Sequence, residues 1–413
     1  MASTMDALSP EAMLTFYRRL YPFKSVYGWL NHDHMPTRQW THREFAFTLA
    51  GDVYVRYKSY NNADELKADV CKLNPSRFEI GPVYSARPRD KKTVRQLTPL
   101  QRELVFDIDM TDYDPIRTCC SEANICKKCW KWISAAVKVL DESVREHYGY
   151  EQLLWVYSGR RGIHLWISDP EALDLTDAQR KAVVGWMNVV VASGQNEGMK
   201  KVNLRAGTKA LPPPLQAALD TLLPYFTSIV LEEQDCFGSE KGYEALLEFI
   251  PDVKVADSLR KTWSADPTKP SASKWLDLKA EVKAKDRSQR APLMHAMEDI
   301  ILHYTYPRID AEVSKHRNHL LKAPFCIHPK TGRVCVPVDP RGIDSFDPER
   351  VPTIGQLLGE LDEGMVVEGE ESSPDSDVQR TSLAPYVEMM NKYATSLMDL
   401  KRKAKQDPDT LAW

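Results

Sequence analysis

Between residues 103 and 112 the alternation of apolar and polar positions carries acid where a buried strand should carry only apolar side chains. Leu104, Phe106, Ile108 and Met110 alternate with Val105, Asp107 and Asp109. An extended chain therefore turns the apolar set to one face and both carboxylates to the other. Two strand residues span about 6.6 Å, so the carboxylates are close enough to share cations. Without a cation two such anions repel and resist desolvation. Divalent ions relieve that cost, and a pair roughly 3.5–4 Å apart is the clamp used in nucleotidyl transfer. An Asp-x-Asp also occurs on solvated strands, so the rest of the chain has to decide.

Other alternating stretches predict hairpins. Residues 43–49 and 52–58 alternate around Ala50-Gly51, and residues 153–167 alternate around Gly159-Arg160-Arg161-Gly162. Asp52, Tyr54, Arg56 and Lys58 would share one face, as the charges of an edge strand facing water do. Residues 78–84 predict a short strand leading to a basic, solvated loop at 87–95. Helical spacing runs over 9–21, with Ser9-Pro10-Glu11 as its N-terminal signal, over 61–73, over 130–148, and mostly from 215 to 303. In that last stretch Leu215, Leu219, Leu222 and Leu223 are spaced for one face, and residues 266–273 read as a loop. A basic segment with Lys200, Lys201 and Arg205 precedes it. Residues 306–310 read as strand-like, ending at Asp310. Residues 360–377 are acidic and poor in large apolar side chains, which predicts a disordered linker, and 383–405 predicts a helix that docks back or holds a partner.

Three clusters add chemistry. Cys119, Cys120, Cys126 and Cys129 form C-C-x5-C-x2-C. The C-x2-C half has the spacing of tetrahedral zinc sites, and four protein ligands leave no open position, so the site would be structural. The adjacent pair is unusual, and one member need not ligate. Next, Ser158, Arg160, Arg161 and His164 offer donors beside two glycines, a combination that suits a triphosphate and that also occurs in plain solvated turns. Finally Lys322, His328, Lys330 and Arg333 make a compact cationic region, useful for phosphates or simply surface.

Length and composition narrow the class. The chain has 413 residues, 43% of them hydrophobic, a formal net charge of −3 and eight cysteines. It can bury an extensive core in two or so domains. The charge excludes a uniformly basic nucleic-acid coat but allows a local cationic groove. No run is long enough for a membrane span and residues 1–13 lack the order of a secretory signal, so the expectation is an intracellular protein whose cysteines are thiols or metal ligands.

Taken together, the acidic stretch 103–114, the cysteine knob that follows, Tyr157-Ser-Gly-Arg-Arg-Gly-Ile-His164, and the segments 306–310 and 328–333 resemble the catalytic small subunit of eukaryotic DNA primase, of the archaeo-eukaryotic primase family. The likeness runs from about residue 13 to 173 and from about 304 to 398, and is poor between. It implies a mixed α/β primase fold, with residues 1–190 and 300–413 forming the catalytic domain, a zinc knob at 117–131, an acidic linker at 360–377 and a helical insert at 191–299. It implies that Asp107, Asp109 and Asp310 are catalytic and hold two Mg²⁺ or Mn²⁺ ions, and that all four cysteines hold structural Zn²⁺. Arg56, Ser158, Arg160, Arg161, His164, Lys322 and His328 fall on nucleotide-binding positions, with Arg160, Arg161, His164 and His328 neutralising the triphosphate. It further implies NTPs, a single-stranded DNA template and an RNA primer, a large subunit with an iron–sulfur domain, the DNA polymerase alpha complex and a nuclear location. A repair polymerase of the wider group and a non-catalytic zinc scaffold are the alternatives.

Overall fold

The computed structural model describes residues 8–190, 210–364 and 374–406. Within them the chain is mixed α/β, built on two antiparallel sheets. The first sheet contains β1 (Arg43–Thr48), β2 (Tyr54–Lys58), β3 (Arg77–Tyr84) and β4 (Pro99–Gln101) in the order β2-β1-β3-β4. The second contains β5 (Leu104–Asp109), β6 (Leu153–Tyr157) and β7 (Gly162–Ile167). Two short strands from late in the chain complete both: β8 (Leu321–Lys322) pairs with β3, and β9 (Pro337–Val338) extends the second sheet to β5-β7-β6-β9. Each sheet is thus closed by residues more than 150 positions downstream, and the late segment is held against the early one.

Burial explains which strands formed. Every residue of β1 and of β7 is buried, so neither strand turns a face to water, and β1 takes the charges of Arg43 and Glu44 inside with it. The predicted alternation of β2 fails at Tyr57, whose φ of 62° sits at a register shift between the pairs Phe45↔Lys58 and Phe47↔Val55. Met110 leaves the strand and opens a 3-10 turn, Met110–Tyr113. The two sheets are tied by an ion pair with no water around it: both guanidinium ends of Arg43, on β1, donate to Glu103, just before β5, at 2.8 and 2.9 Å. A buried pair with two parallel bonds fixes orientation more than it adds net stability.

Helices cover the sheets. Lys127–Tyr148 buries Trp132, Ile133, Val137 and Leu140. The last helix, Ala384–Gln406, docks on Phe23–Asn31, as its apolar spacing predicts. Between β7 and β8 the chain is helical: Pro213–Tyr225, a π-helical turn Phe226–Glu233, then Glu240–Leu247, Val253–Ala265, Ser271–Ala284 and Arg287–Thr305. Leu219 and Leu222 face inward there, whereas Leu223 is half exposed, one residue past the buried stripe. No helix among the described residues is long and apolar enough to cross a membrane.

Three expectations need correction or fall outside the description. Residues 306–310 are extended without strand pairing, because Tyr306 closes the preceding helix and Asp310 caps the next one, Ala311–Lys315. The acidic run 360–377 is helical at both ends, in Ile354–Gly364 and Pro374–Gln379, with residues 365–373 outside the described set. Its charges are used: Glu360 accepts from the Ser382 backbone at 2.7 Å, and buried Asp377 receives two bonds from Arg19 at 2.7 and 3.0 Å. Lys200, Lys201 and Arg205 lie outside the described residues.

Candidate active site and metal centre

Strand β5 delivers Asp107 and Asp109 to its open end, each opposite a residue of β7: Asp107 faces His164 and Asp109 faces Gly162. Asp310 reaches them from the far end of the helical region because its backbone N–H donates to the Asp107 carbonyl at 3.0 Å. With Asp112 these three line a cleft of about 440 Å³, bordered by Glu312 and Lys315.

The charges in this cleft are under strain. Burial, together with the anions Asp109 and Asp310, pushes the Asp107 carboxyl up to about 7. The same causes raise Asp112 to about 6. Such a cluster is what a hard cation relieves, and its all-oxygen donor set fits Mg²⁺ or Mn²⁺. In the free protein the nearest relief is Arg161, whose Nε donates to both oxygens of Asp109 at 2.7 and 2.9 Å. Asp109 also accepts from the Thr111 N–H and hydroxyl, at 2.9 and 2.8 Å. Asp112 was legible as a turn residue but not as part of the site; the spacing Asp107, Asp109, Asp112 was the available signal.

The residues predicted for nucleotide binding form a second layer. His164 Nε2 stands 3.5 Å from Asp107. Ser158, Arg160 and Arg161 sit on the turn between β6 and β7, and the late segment grips that turn through Lys322 Nζ and Cys335 Sγ, both donating to the Ser158 carbonyl. Thr331 donates to the Gly159 carbonyl at 2.7 Å. Both glycines are required by this packing. A Cβ at Gly159, whose φ is +87°, would lie 2.6 Å from the His328 Cβ, and one at Gly162 would lie 2.4 Å from the Ile108 carbonyl oxygen. The Gly162 N–H is satisfied by Ser158 Oγ at 3.0 Å.

Burial disfavours the charged form of both imidazoles. Burial and the Lys322 charge lower His164 to about 3, and burial, Lys322, Arg160, Arg77 and Arg161 lower His328 to about 3. The cations Lys322, Arg160 and Arg161 stand close enough to disfavour a charged imidazole at His328, as Lys322 does at His164. Arg56 is held elsewhere. It lies on β2, three strand steps from Lys322, and makes two bonds to fully buried Glu44 at 2.9 and 3.1 Å. Glu44 also accepts from the Tyr57 N–H and the Tyr84 hydroxyl. This buried acid was missed; its only mark in the sequence is a charged pair, Arg43-Glu44, opening an apolar strand.

The cysteine knob is a separate centre. The sulfurs of Cys119, Cys120, Cys126 and Cys129 all lie within 4.8 Å of one another, so both members of the adjacent pair are in the set and together could hold a metal ion. Cys126 caps the helix Lys127–Tyr148, whose positive end favours thiolates. The Cys126 N–H donates to Cys129 Sγ at 3.1 Å, and the buried Arg117 guanidinium lies 3.9 Å from it. As thiols the group is strained: burial, the Cys126 thiol and the Cys119 thiol raise Cys120 to about 11. A cation removes that opposition, and a four-thiolate set fits zinc.

The comparisons agree with one another. A family model described as DNA primase small subunit matches residues 106–340. The DNA primase small subunit of Schizosaccharomyces pombe is 50% identical over 360 residues, covering 86% of this chain and 79% of that protein. That of Saccharomyces cerevisiae is 40% identical over 414 residues, covering 97% and 96%. Among solved structures, the polymerase domain from Mycobacterium tuberculosis ligase D in complex with DNA aligns over 87% of this chain and 90% of that one at 11% identity, with a TM-score of 0.38, too low to carry an argument.

Proposed function

The chain belongs to the DNA primase small-subunit family, and from that premise we propose that the aspartate cleft is its nucleotidyl-transfer site and the cysteine knob its structural zinc site. The activity is that of a DNA-directed RNA polymerase, the synthesis of RNA primers for DNA replication. Asp107, Asp109 and Asp310 would hold two Mg²⁺ or Mn²⁺ ions. When bound, such ions acidify the attacking 3′-hydroxyl and offset the charge of the departing pyrophosphate.

The chain's own residues bind and orient. Arg161 is engaged with Asp109 in the free protein, so loading of the cleft and release of Arg161 towards a triphosphate form a single exchange. Lys322 and Arg160 supply fixed positive charge beside that triphosphate, and Ser158, His164 and His328 supply hydrogen bonds. Arg56, braced by Glu44, would position the nucleotide from the neighbouring sheet. The observation that carries this proposal is the convergence of Asp107, Asp109 and Asp310 on one cleft, where burial and the other two anions push Asp107 up to about 7.

A small subunit works with other subunits on DNA. We assign the partners as an iron–sulfur large subunit and the DNA polymerase alpha complex, the location as the nucleus, and the substrates as NTPs, a single-stranded DNA template and the growing RNA primer. Residues 1–190 and 300–413 would form the catalytic domain in the primase fold and 191–299 an appended insert. In support, the helices from 213 to 305 separate the two acid-bearing segments.

The test is incorporation of labelled nucleotides on unprimed single-stranded DNA, with and without a large subunit. The expected result is ribonucleotide incorporation that needs added Mg²⁺ or Mn²⁺. Preference for deoxynucleotides would point to a repair polymerase, and no metal-dependent incorporation at all would refute the assignment of the cleft.

A further inference from the structure

The helices from Pro213 to Thr305 bear no group that the chemistry above uses, yet one side chain of this region is built into the cysteine knob. Gln234 ends the π-helical turn Phe226–Glu233, where its own N–H bonds to the Ile229 carbonyl at 2.9 Å, five residues back. It is 3% exposed. Its Oε1 accepts from the Thr118 N–H at 2.8 Å and the Cys119 N–H at 3.2 Å. Two backbone donors on that side fix the orientation of the amide, so the Nε2 group must face the other way. There it donates to Cys119 Sγ at 3.1 Å.

Two neighbouring contacts strengthen the seam. The Cys236 thiol donates to the Ile116 carbonyl at 3.3 Å, and Lys131, on the helix that carries Cys129, pairs with Glu233. The knob is therefore shared. Cys126 and Cys129 belong to the N-terminus of Lys127–Tyr148, which covers the second sheet, whereas the Cys119 segment is clamped by Gln234 of the helical region. A π-helical register is costly in an isolated helix and recurs where a side chain must be placed for a task. In an α-helical register Gln234 would be rotated off the cysteine segment.

Resting on the zinc assignment made above, we infer that Gln234 is a positioning residue of the metal site, and that through it the metal staples the helical region to the catalytic sheets. An N–H donated to a zinc-bound thiolate lowers its charge and holds it in place, and outer partners of this kind are typically worth about 10–100-fold in metal affinity. Metal loss should then loosen residues 226–236 as well as the knob.

The experiment uses the full chain purified without chelator. Zinc content is counted first, and then its release to a chromogenic chelator and hydrogen exchange over 226–236 are followed. Gln234→Leu removes both the acceptor and the donor. Gln234→Glu keeps the acceptor for Thr118 and Cys119 but faces the thiolate with an anion. Both variants should release zinc about tenfold or more faster than wild type, and stripping zinc from wild type should raise exchange over 226–236. Should Gln234→Leu fail to fold, the Glu variant and the wild-type exchange comparison still decide. Wild-type release rates in the variants, with exchange over 226–236 indifferent to zinc, would overturn the inference. A wild-type chain lacking zinc would instead overturn the assignment of the knob, and the two failures are told apart by the initial count.

Discussion

Asp107, Asp109, Asp112 and Asp310 face an open cleft of about 440 Å³, whereas Cys119, Cys120, Cys126 and Cys129 close on a point within 4.8 Å. Both are crowds of like groups in which burial and neighbours oppose the ionisation of some members, Asp107 and Asp112 in one and Cys120 and Cys129 in the other, and both are suited to cations. They differ in what surrounds them. The cysteines draw on the Cys126 N–H, Arg117 and Gln234 as fixed donors, so the four sulfurs are already gathered round one point. The carboxylates are left partly unmatched, with the Arg161 guanidinium paired to Asp109 and Lys322 and Arg308 acting on Asp107 and Asp112 without an ion pair to either carboxylate. A site that is complete without substrate serves the fold, and one that becomes complete only with substrate serves the reaction.

The sharpest way to break this contrast is to remove charge from the cleft. Asp107→Asn, Asp109→Asn and Asp310→Asn should each cut nucleotide incorporation by a factor on the order of 10³ or more, with zinc content and circular dichroism unchanged. Near-normal activity in any of them at saturating metal would end the assignment. The converse substitutions act on the fold: Cys126→Ser and Cys129→Ser should lose zinc and with it on the order of several kcal/mol of stability, read as a lowered melting temperature. Zinc retained at one per chain in both would contradict it.

Arg161→Ala should have a smaller and more selective effect. Losing a fixed cation beside the triphosphate should raise the KM for NTP about tenfold while leaving template binding near normal. Because the same change frees Asp109, Mn²⁺ should bind the nucleotide-free protein more tightly, which calorimetry can measure. Weaker Mn²⁺ binding would argue against Arg161 as the counterion.

The smallest effect concerns stability of the metal-free protein. Asp107 holds its proton up to about pH 7 when folded, because of burial and the anions Asp109 and Asp310, but an unfolded aspartate releases it near 4. The folded state therefore binds more protons across this window, and its stability falls as pH rises from about 4 to 7, then levels. Asp107→Asn should be no more stable than wild type at pH 4 and more stable at pH 8, by on the order of 4 kcal/mol. Denaturant melts at the two pH values test it, and a gap independent of pH would remove the proposed repulsion.

Much of this was legible in the chain. Alternation around Asp107 and Asp109, the two hairpins, the flanking helices and the cysteine spacing are local patterns, and local patterns survive folding. What escaped depends on contacts between distant segments. The bond by which Asp310 joins Asp107 spans about 200 residues; the family resemblance named Asp310, but the local pattern of residues 306–310 does not show that contact. The glycines at 159 and 162 suggested a phosphate-binding turn, and the sequence did not show that their lack of a Cβ also accommodates His328 and Ile108. Residues 360–377 look unstructured from their charge, yet Asp377 is buried against Arg19, a partner no window of sequence contains. Glu44 was hidden for the same reason: its role as the anchor of Arg56 is visible only once β1 and β2 pair.

The central claim, that the open cleft and the closed knob hold different metals for different purposes, is tested most directly by counting both in one sample. With wild type and the three aspartate variants at saturating NTP and template, bound Mn²⁺ is measured by electron paramagnetic resonance and zinc by elemental analysis. The account predicts two Mn²⁺ per wild-type chain, fewer in Asp107→Asn, Asp109→Asn and Asp310→Asn, and one zinc in all four. Full Mn²⁺ occupancy in the three variants, or zinc lost along with Mn²⁺, would contradict it.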